Sequence, residues 1–158
     1  LMVALECLDE LLLGGDSARL YQTLVYEEER VSDLYSSVPR FRGDALYEIA
    51  FDLLPGRDPK TVIDRVLAEF KRIAHEGVED AELERARISK ELGGYLSLQT
   101  SHQRAQTLGF WSVVTGDIDE MFNRQKRIST VKIDDIKQIA TLLLDPDRLI
   151  TVVGMPQS

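Results

Sequence analysis

A single cysteine and a pair of histidines are all that 158 residues offer as soft metal ligands. A disulfide needs two sulfurs, so none can close within this chain. Neither His75 nor His102 belongs to a His-x-x-Glu-His or His-Glu-x-x-His pair. No Cys-His couple, Gly-x-Ser-x-Gly elbow or phosphate loop occurs either, so no recognisable catalytic apparatus is written in the residues. Positive charge is also scarce: 19 Lys and Arg stand against 27 Asp and Glu, a net charge of −8. That balance argues against nucleic acid as a partner, because phosphate binding needs a basic face. No apolar run approaches the roughly 20 residues that a membrane-spanning helix requires. Solenoid-type repeats and low-complexity linkers are missing too.

What is present is the composition of a soluble globular protein, 44% apolar and 29% charged, with residues 1–158 sufficient for one domain with a core. The chain opens on Leu1 in mid-helix, so the expectation is a natural N-terminus further upstream; cytoplasm and periplasm are both compatible compartments. "LMVALECLDELLL" sets Leu1, Leu5, Leu8 and Leu12 at helical spacing, with Glu6, Asp9 and Glu10 expected to face outward. Cys7 falls on the apolar side as an inert buried thiol. Gly14-Gly15 then ends this helix and Asp16 or Ser17 is placed to cap the next, which carries Leu20, Leu24 and Val25.

The texture changes at "RVSDLYSSVPR" and "ALYEIAFDLLPG", which read as two strands joined by a turn at "FRGD". In the second strand Tyr47, Ile49, Phe51 and Leu53 share one face and Glu48, Ala50 and Asp52 the other. The aromatic set is expected beneath helices, leaving Glu48 and Asp52 on an open face. Asp58 and Pro59 begin a helix that stops at Gly77 and buries Ile63, Val66, Phe70 and Ile73. Two long helical pieces follow, with Gly93-Gly94 weakening the run and Phe110, Trp111, Val113 and Val114 expected in the core. Two shorter amphipathic helices and an almost wholly apolar run, "RLITVVG", complete the chain; such a run reads as a central strand. The order αα-ββ-α-αα-α-α-β predicts an α+β fold, a two-layer sandwich with helices on one face of a mostly antiparallel sheet. Three strands are few for so many helices, which points to further strands upstream of Leu1.

No motif among these residues suggests a metal or an anion site. "HEGVED" sits at a helix end beside a capping glycine, and Asp16 would oppose an anion at the Gly-Gly corner. Glu82 with Arg85 and Glu84 with Arg87 are helical neighbours on a solvated face.

"LLLGGDSARLYQTLVYEEERVSD", however, resembles the hallmark stretch of the pitrilysin/insulinase family of zinc metallopeptidases. The matching residues are Gly14, Gly15, Ser17, Arg19, Leu20, Tyr21, Leu24, Val25, Tyr26 and Glu27, with Ala18 where a second Ser is frequent. "HEGVEDAELERAR" is similar to a later segment of that family through Glu76, Gly77, Glu82, Leu83 and Ala86. "ISTVKIDDIKQIATLLLDPDRLITVVG" is similar to its closing helix and strand, with Lys132 where Thr is usual. The likeness runs in order along nearly the whole chain.

The resemblance implies the second, C-terminal half of a peptidase domain whose zinc-binding half is absent. Cofactors are therefore expected to be none in this chain, with zinc in an active parent enzyme. Assisting domains of the family often carry an Arg and a Tyr at positions held here by Val25 and Ser32, so the chain resembles the back half of a zinc-bearing or a degenerate domain. The function implied is the non-catalytic portion of a zinc-dependent metalloendopeptidase, forming part of the wall of a substrate chamber onto which Glu48 and Asp52 face. The alternative is a catalytically degenerate scaffold or assembly subunit. Expected partners are a peptide substrate through the parent, the N-terminal half-domain or a second peptidase domain, and, for the isolated chain, a second copy in a homodimer formed through a sheet edge or the N-terminal helix.

Overall fold

A computed structural model describes residues 1–38 and 46–154. The helix α1 (Met2–Leu13) is followed by α2 (Arg19–Tyr21), which runs directly into a π-helical turn at Gln22–Glu27. Strands β1 (Val31–Ser37) and β2 (Glu48–Leu53) come next. The remainder is helical: α3 (Pro59–Glu76), α4 (Asp80–Leu96), α5 (Ser101–Val114), α6 (Asp119–Ser129), α7 (Ile133–Leu143) and a 3₁₀ turn at Pro146–Arg148. The result is a helix-rich α+β fold with a small antiparallel sheet of two strands among the described residues. The expected "FRGD" turn lies outside the described residues.

α1 is the central element, touching α2, α4, α6, α7 and β1. Its buried residues include Leu5, Leu8, Leu11, Leu12 and Cys7, so it is enclosed on most sides. That surrounds Glu6 as well: it is only 3% exposed, not turned outward as helical spacing had suggested. Its carboxylate is gripped by Arg124 of α6, with Nε 3.1 Å from Oε1 and Nη2 bonded to Oε2. Burial also pushes the Cys7 thiol up to about 11, which keeps it protonated and inert.

The corner after α1 is tighter than the sequence suggested. Gly14 N–H donates to Glu10 O at 2.9 Å, and Gly15, at φ +103°, takes the conformation that a side chain resists. A Cβ at Gly14 would stand 2.5 Å from the backbone carbonyl oxygen of Glu10, which cannot swing aside, so the chain turns this closely only at glycine. Neither Asp16 nor Ser17 caps α2, whose N-cap is Ala18 without a side-chain hydrogen bond. The backbone carbonyl of Asp16 instead accepts from Gln22 Nε2 at 2.5 Å.

α3 begins as its residues dictate. Asp58 Oδ1 accepts from Lys60 N–H at 3.1 Å, Pro59 occupies the first turn, and Gly77 at φ +85° ends the helix. Its buried stripe is Val62, Val66, Phe70 and Ile73, with Ile63 rotated to a half-buried position. α3 packs on α7, which contributes Ile136, Ile139 and Ala140 to the core. At Lys132 a backbone N–H donates to Asp135 Oδ2 at 2.8 Å, so the acid three residues on secures a helix start that lacks the usual Thr. α5 buries only Trp111, leaving Phe110 and Val113 exposed and Val114 half-buried, so the expected aromatic core there reduces to one indole.

The run Leu149–Gly154 forms no strand. An apolar run reports that a segment is made to be covered, and it does not say by what. Here no neighbouring strand is offered by the described residues, and Ile150 and Val152 lie open to solvent.

Candidate functional site

The two strands pair from Ser37↔Glu48 to Val31↔Leu53, with a bulge between Val31 and Asp33. Leu34 is buried opposite Phe51, and Tyr47, Ile49, Phe51 and Leu53 all pack against the core. The opposite face is open. Glu48 and Asp52 are exposed on it, beside Asp33, Tyr35 and Ser37 of β1. Register places Asp33 directly across from Asp52, a pairing that strand composition does not disclose because it depends on the bulge. Asp33 Oδ1 accepts from Leu34 N–H at 2.8 Å, and Ser32 Oγ donates to the Asp52 carbonyl at 3.3 Å. Tyr21 and Tyr26 stand with ring centroids 5.8 Å apart, and burial together with the Asp33 charge raises the Tyr21 phenol above its ordinary value. Two carboxylates facing each other across a strand pair repel, so this face favours whatever brings positive charge to it.

Val25 lies half-buried in the π-helical turn and Ser32 is exposed on β1, so neither offers a cationic or phenolic group to a substrate. After the turn, Glu29 holds φ +46° and its carbonyl accepts from Arg57 Nε at 3.0 Å, which fixes the chain's entry into β1.

The residues around the Gly-Gly corner have a different job. Arg19 donates from Nε to Glu82 Oε1 at 2.9 Å, from Nη2 to Glu82 Oε2 at 2.5 Å, and from Nη1 to Glu69 Oε1 at 2.9 Å. Glu82 Oε2 also accepts from Glu79 N–H at 3.0 Å, closing the first turn of α4. These hydrogen bonds from Arg19, against the cost of burial, hold the Glu82 carboxyl below its ordinary value. One guanidinium thereby ties the corner to both α3 and α4.

His75 and His102 are exposed on separate helices, Cys7 is sealed in the core, and among the described residues no three His, Cys, Asp or Glu side chains converge as a metal site would require. A groove of about 640 Å³ opens between α4, α5 and α6, walled by Tyr95, Phe110, Trp111 and Phe122, none of which the sequence marked as a site.

Residues 2–90, more than half of the chain, match the family model described as the peptidase M16 inactive domain. The chain belongs to that family. This M16 inactive domain is 28% identical over 153 residues to an uncharacterized zinc protease of Mycobacterium leprae (strain TN), covering 96% of the chain and 34% of that relative. It thus spans about a third of the length of the curated relative it matches. Its fold resembles that of a protease from Helicobacter pylori, with a TM-score of 0.82, 20% identity, and coverage of 89% of this chain and 34% of that one. It also resembles the inactive peptidase domain of a Bordetella parapertussis protein, with a TM-score of 0.81, 22% identity, and coverage of 92% and 79%. Two of the three stretches that carry the resemblance meet in space: Arg19 of the first grips Glu82 of the second.

Proposed function

We propose that this M16 inactive domain is the non-catalytic portion of a zinc-dependent metalloendopeptidase and forms part of its substrate chamber wall. Peptide hydrolysis belongs to the parent protein, and the zinc-binding His-x-x-Glu-His helix lies in a part of it outside these residues. The observation that carries the reading is the asymmetry of the sheet. One face is apolar and packed, while the other is uncovered and presents Glu48, Asp52 and Asp33. An open acidic face beside a chamber retains extended peptides with Lys or Arg side chains, through charge rather than through chemistry. The peptide and the remaining peptidase portion are thus the domain's partners.

The charge variants Glu48→Gln and Asp52→Asn, made together in the parent, test the assignment. KM for a basic extended peptide rises about fivefold, since each exposed carboxylate contributes about 0.5 kcal/mol, while kcat and KM for a neutral peptide stay unchanged. Unaltered KM for both peptides would leave these residues as ordinary solvated strand positions.

The match to an inactive domain also favours a second reading, a scaffold or assembly subunit of the same fold. It differs in one respect: the double variant would then weaken association with the partner and leave peptide KM intact.

A further inference from the structure

Not everything on the open face of the sheet is acidic. At its middle stands Tyr35, 54% exposed, and directly across from it on β2 is Ala50, the smallest side chain on that face. A strand tyrosine is ordinarily flanked by a β-branched or aromatic cross-strand partner that covers part of its ring. The methyl group of Ala50 is too short to do so. Among the described residues no other aromatic ring packs on Tyr35 either. The pair therefore forms a shallow apolar seat with an aromatic wall, open to solvent.

Three carboxylates surround the seat. Glu48 and Asp52 lie two residues to either side of Ala50 on the same strand face, and Asp33 lies two residues before Tyr35. Strand geometry spaces each of them roughly 6.6 Å along its strand from the seat, and sets Glu48 and Asp52 about 7–8 Å from Tyr35 on the diagonals. None of the three is paired with a described Lys or Arg. Nor do they act as one inorganic site, since no three such side chains among the described residues converge as metal ligands do. Carboxylates dispersed around an aromatic wall complement a cation that is broad, planar and carried on an apolar stem. Guanidinium has that form. It stacks on aromatic faces, donates from several N–H groups along its edge and is more weakly hydrated than an ammonium group.

The geometry points to Tyr35 and Ala50 as a specificity seat for an arginine side chain of a bound peptide. The stem lies over Ala50, the guanidinium plane rests on the Tyr35 ring, and its N–H groups turn toward Glu48 and Asp52. This rests on the reading of the open face as chamber wall and adds a selectivity to it. Charge alone treats Lys and Arg alike, whereas the ring of Tyr35 separates them.

Equilibrium binding to the parent protein tests the seat, read by fluorescence anisotropy with labelled alanine-rich peptides. The peptides differ only in a central Arg, Lys or citrulline, the last being the uncharged counterpart of arginine. The Arg peptide binds about two- to fivefold more tightly than the Lys peptide, the effect of a cation stacked on an exposed ring, and the citrulline peptide binds more weakly than either. Tyr35→Leu removes the preference for Arg, while Tyr35→Phe keeps it because the ring is kept. Ala50→Val, a residue that strands accept readily, fills the seat and removes the preference without altering the ring or the acids. Glu48→Gln with Asp52→Asn weakens both charged peptides by a similar factor and leaves their ratio in place. Equal affinity for Arg and Lys in the native sequence would overturn the proposal, and so would a preference that survives Tyr35→Leu or Ala50→Val. Loss of the preference in Tyr35→Phe would overturn it too, by assigning recognition to the hydroxyl. The chamber-wall reading fails separately, if the double acid variant changes the affinity of neither charged peptide.

Discussion

At the scale of single residues, Arg19 ties the Gly-Gly corner to two helices at once. Its three donors meet two carboxylates from different helices, and all three side chains are mostly sheltered from water, at 17–18% exposure. Sheltered, bidentate guanidinium–carboxylate pairs outweigh exposed ones, and removing one partner leaves the other desolvated and unpaired. Arg19→Ala therefore lowers the unfolding free energy by about 2–3 kcal/mol, on the scale of partly buried pairs, as urea titration will show through a lower midpoint. The effect carries a pH signature. Glu82 has a depressed folded-state pKa, so its stabilisation is complete above its unfolded value, ordinarily 4.5, and is lost as pH falls through the lower folded value. Stability of the native sequence should fall across that acid interval more steeply than stability of Arg19→Ala. Parallel pH profiles for the two would show that Arg19 does not hold Glu82's proton off.

Among the elements, the buried pair Glu6–Arg124 joins the central helix α1 to α6 across 118 positions of sequence. Helical spacing placed Glu6 outside because it reports only the local stripe, and the late helix that covers this side of α1 cannot be foreseen from that stripe. Breaking such a pair from one side costs about 3–5 kcal/mol, whereas replacing both partners by apolar residues of similar size is often nearly neutral. Arg124→Met alone should therefore destabilise strongly, and adding Glu6→Leu should recover most of the loss in thermal unfolding. Failure of the second change to recover anything would mean that Glu6 is held chiefly by other contacts. Other elements were plain in the sequence for local reasons. Asp58, Pro59 and Gly77 mark the ends of α3 with side-chain and backbone chemistry that needs no tertiary partner, and the two-residue period of β2 separates Tyr47, Ile49, Phe51 and Leu53 from Glu48 and Asp52. The Asp33–Asp52 juxtaposition was not legible, since cross-strand register is set by a bulge rather than by either strand's composition. The expected final strand shows the limit from the other direction: "RLITVVG" has the composition of a covered strand, yet no strand among the described residues pairs with it.

On the scale of the whole molecule, the helices close a sound core around α1 while the sheet of the described residues is two strands wide. Because α1 is packed on most of its surface, the sheet edges and the open 149–153 run are the surfaces left for self-association once the chain is isolated and concentrated. We expect a two-fold dimer at tens of micromolar by sedimentation velocity, dissociating on dilution; a strict monomer throughout would show that these edges are protected by the chain itself. The larger claim is a division of labour, in which this M16 inactive domain shapes the chamber and the rest of the polypeptide carries zinc and cuts. Its most direct test is peptide hydrolysis by three samples: this chain alone, the longer polypeptide with residues 1–158 deleted, and the two mixed. The account predicts no turnover by the chain, little by the remainder, and recovery on mixing. Undiminished hydrolysis by the remainder, or any zinc-dependent hydrolysis by residues 1–158 alone, would contradict it.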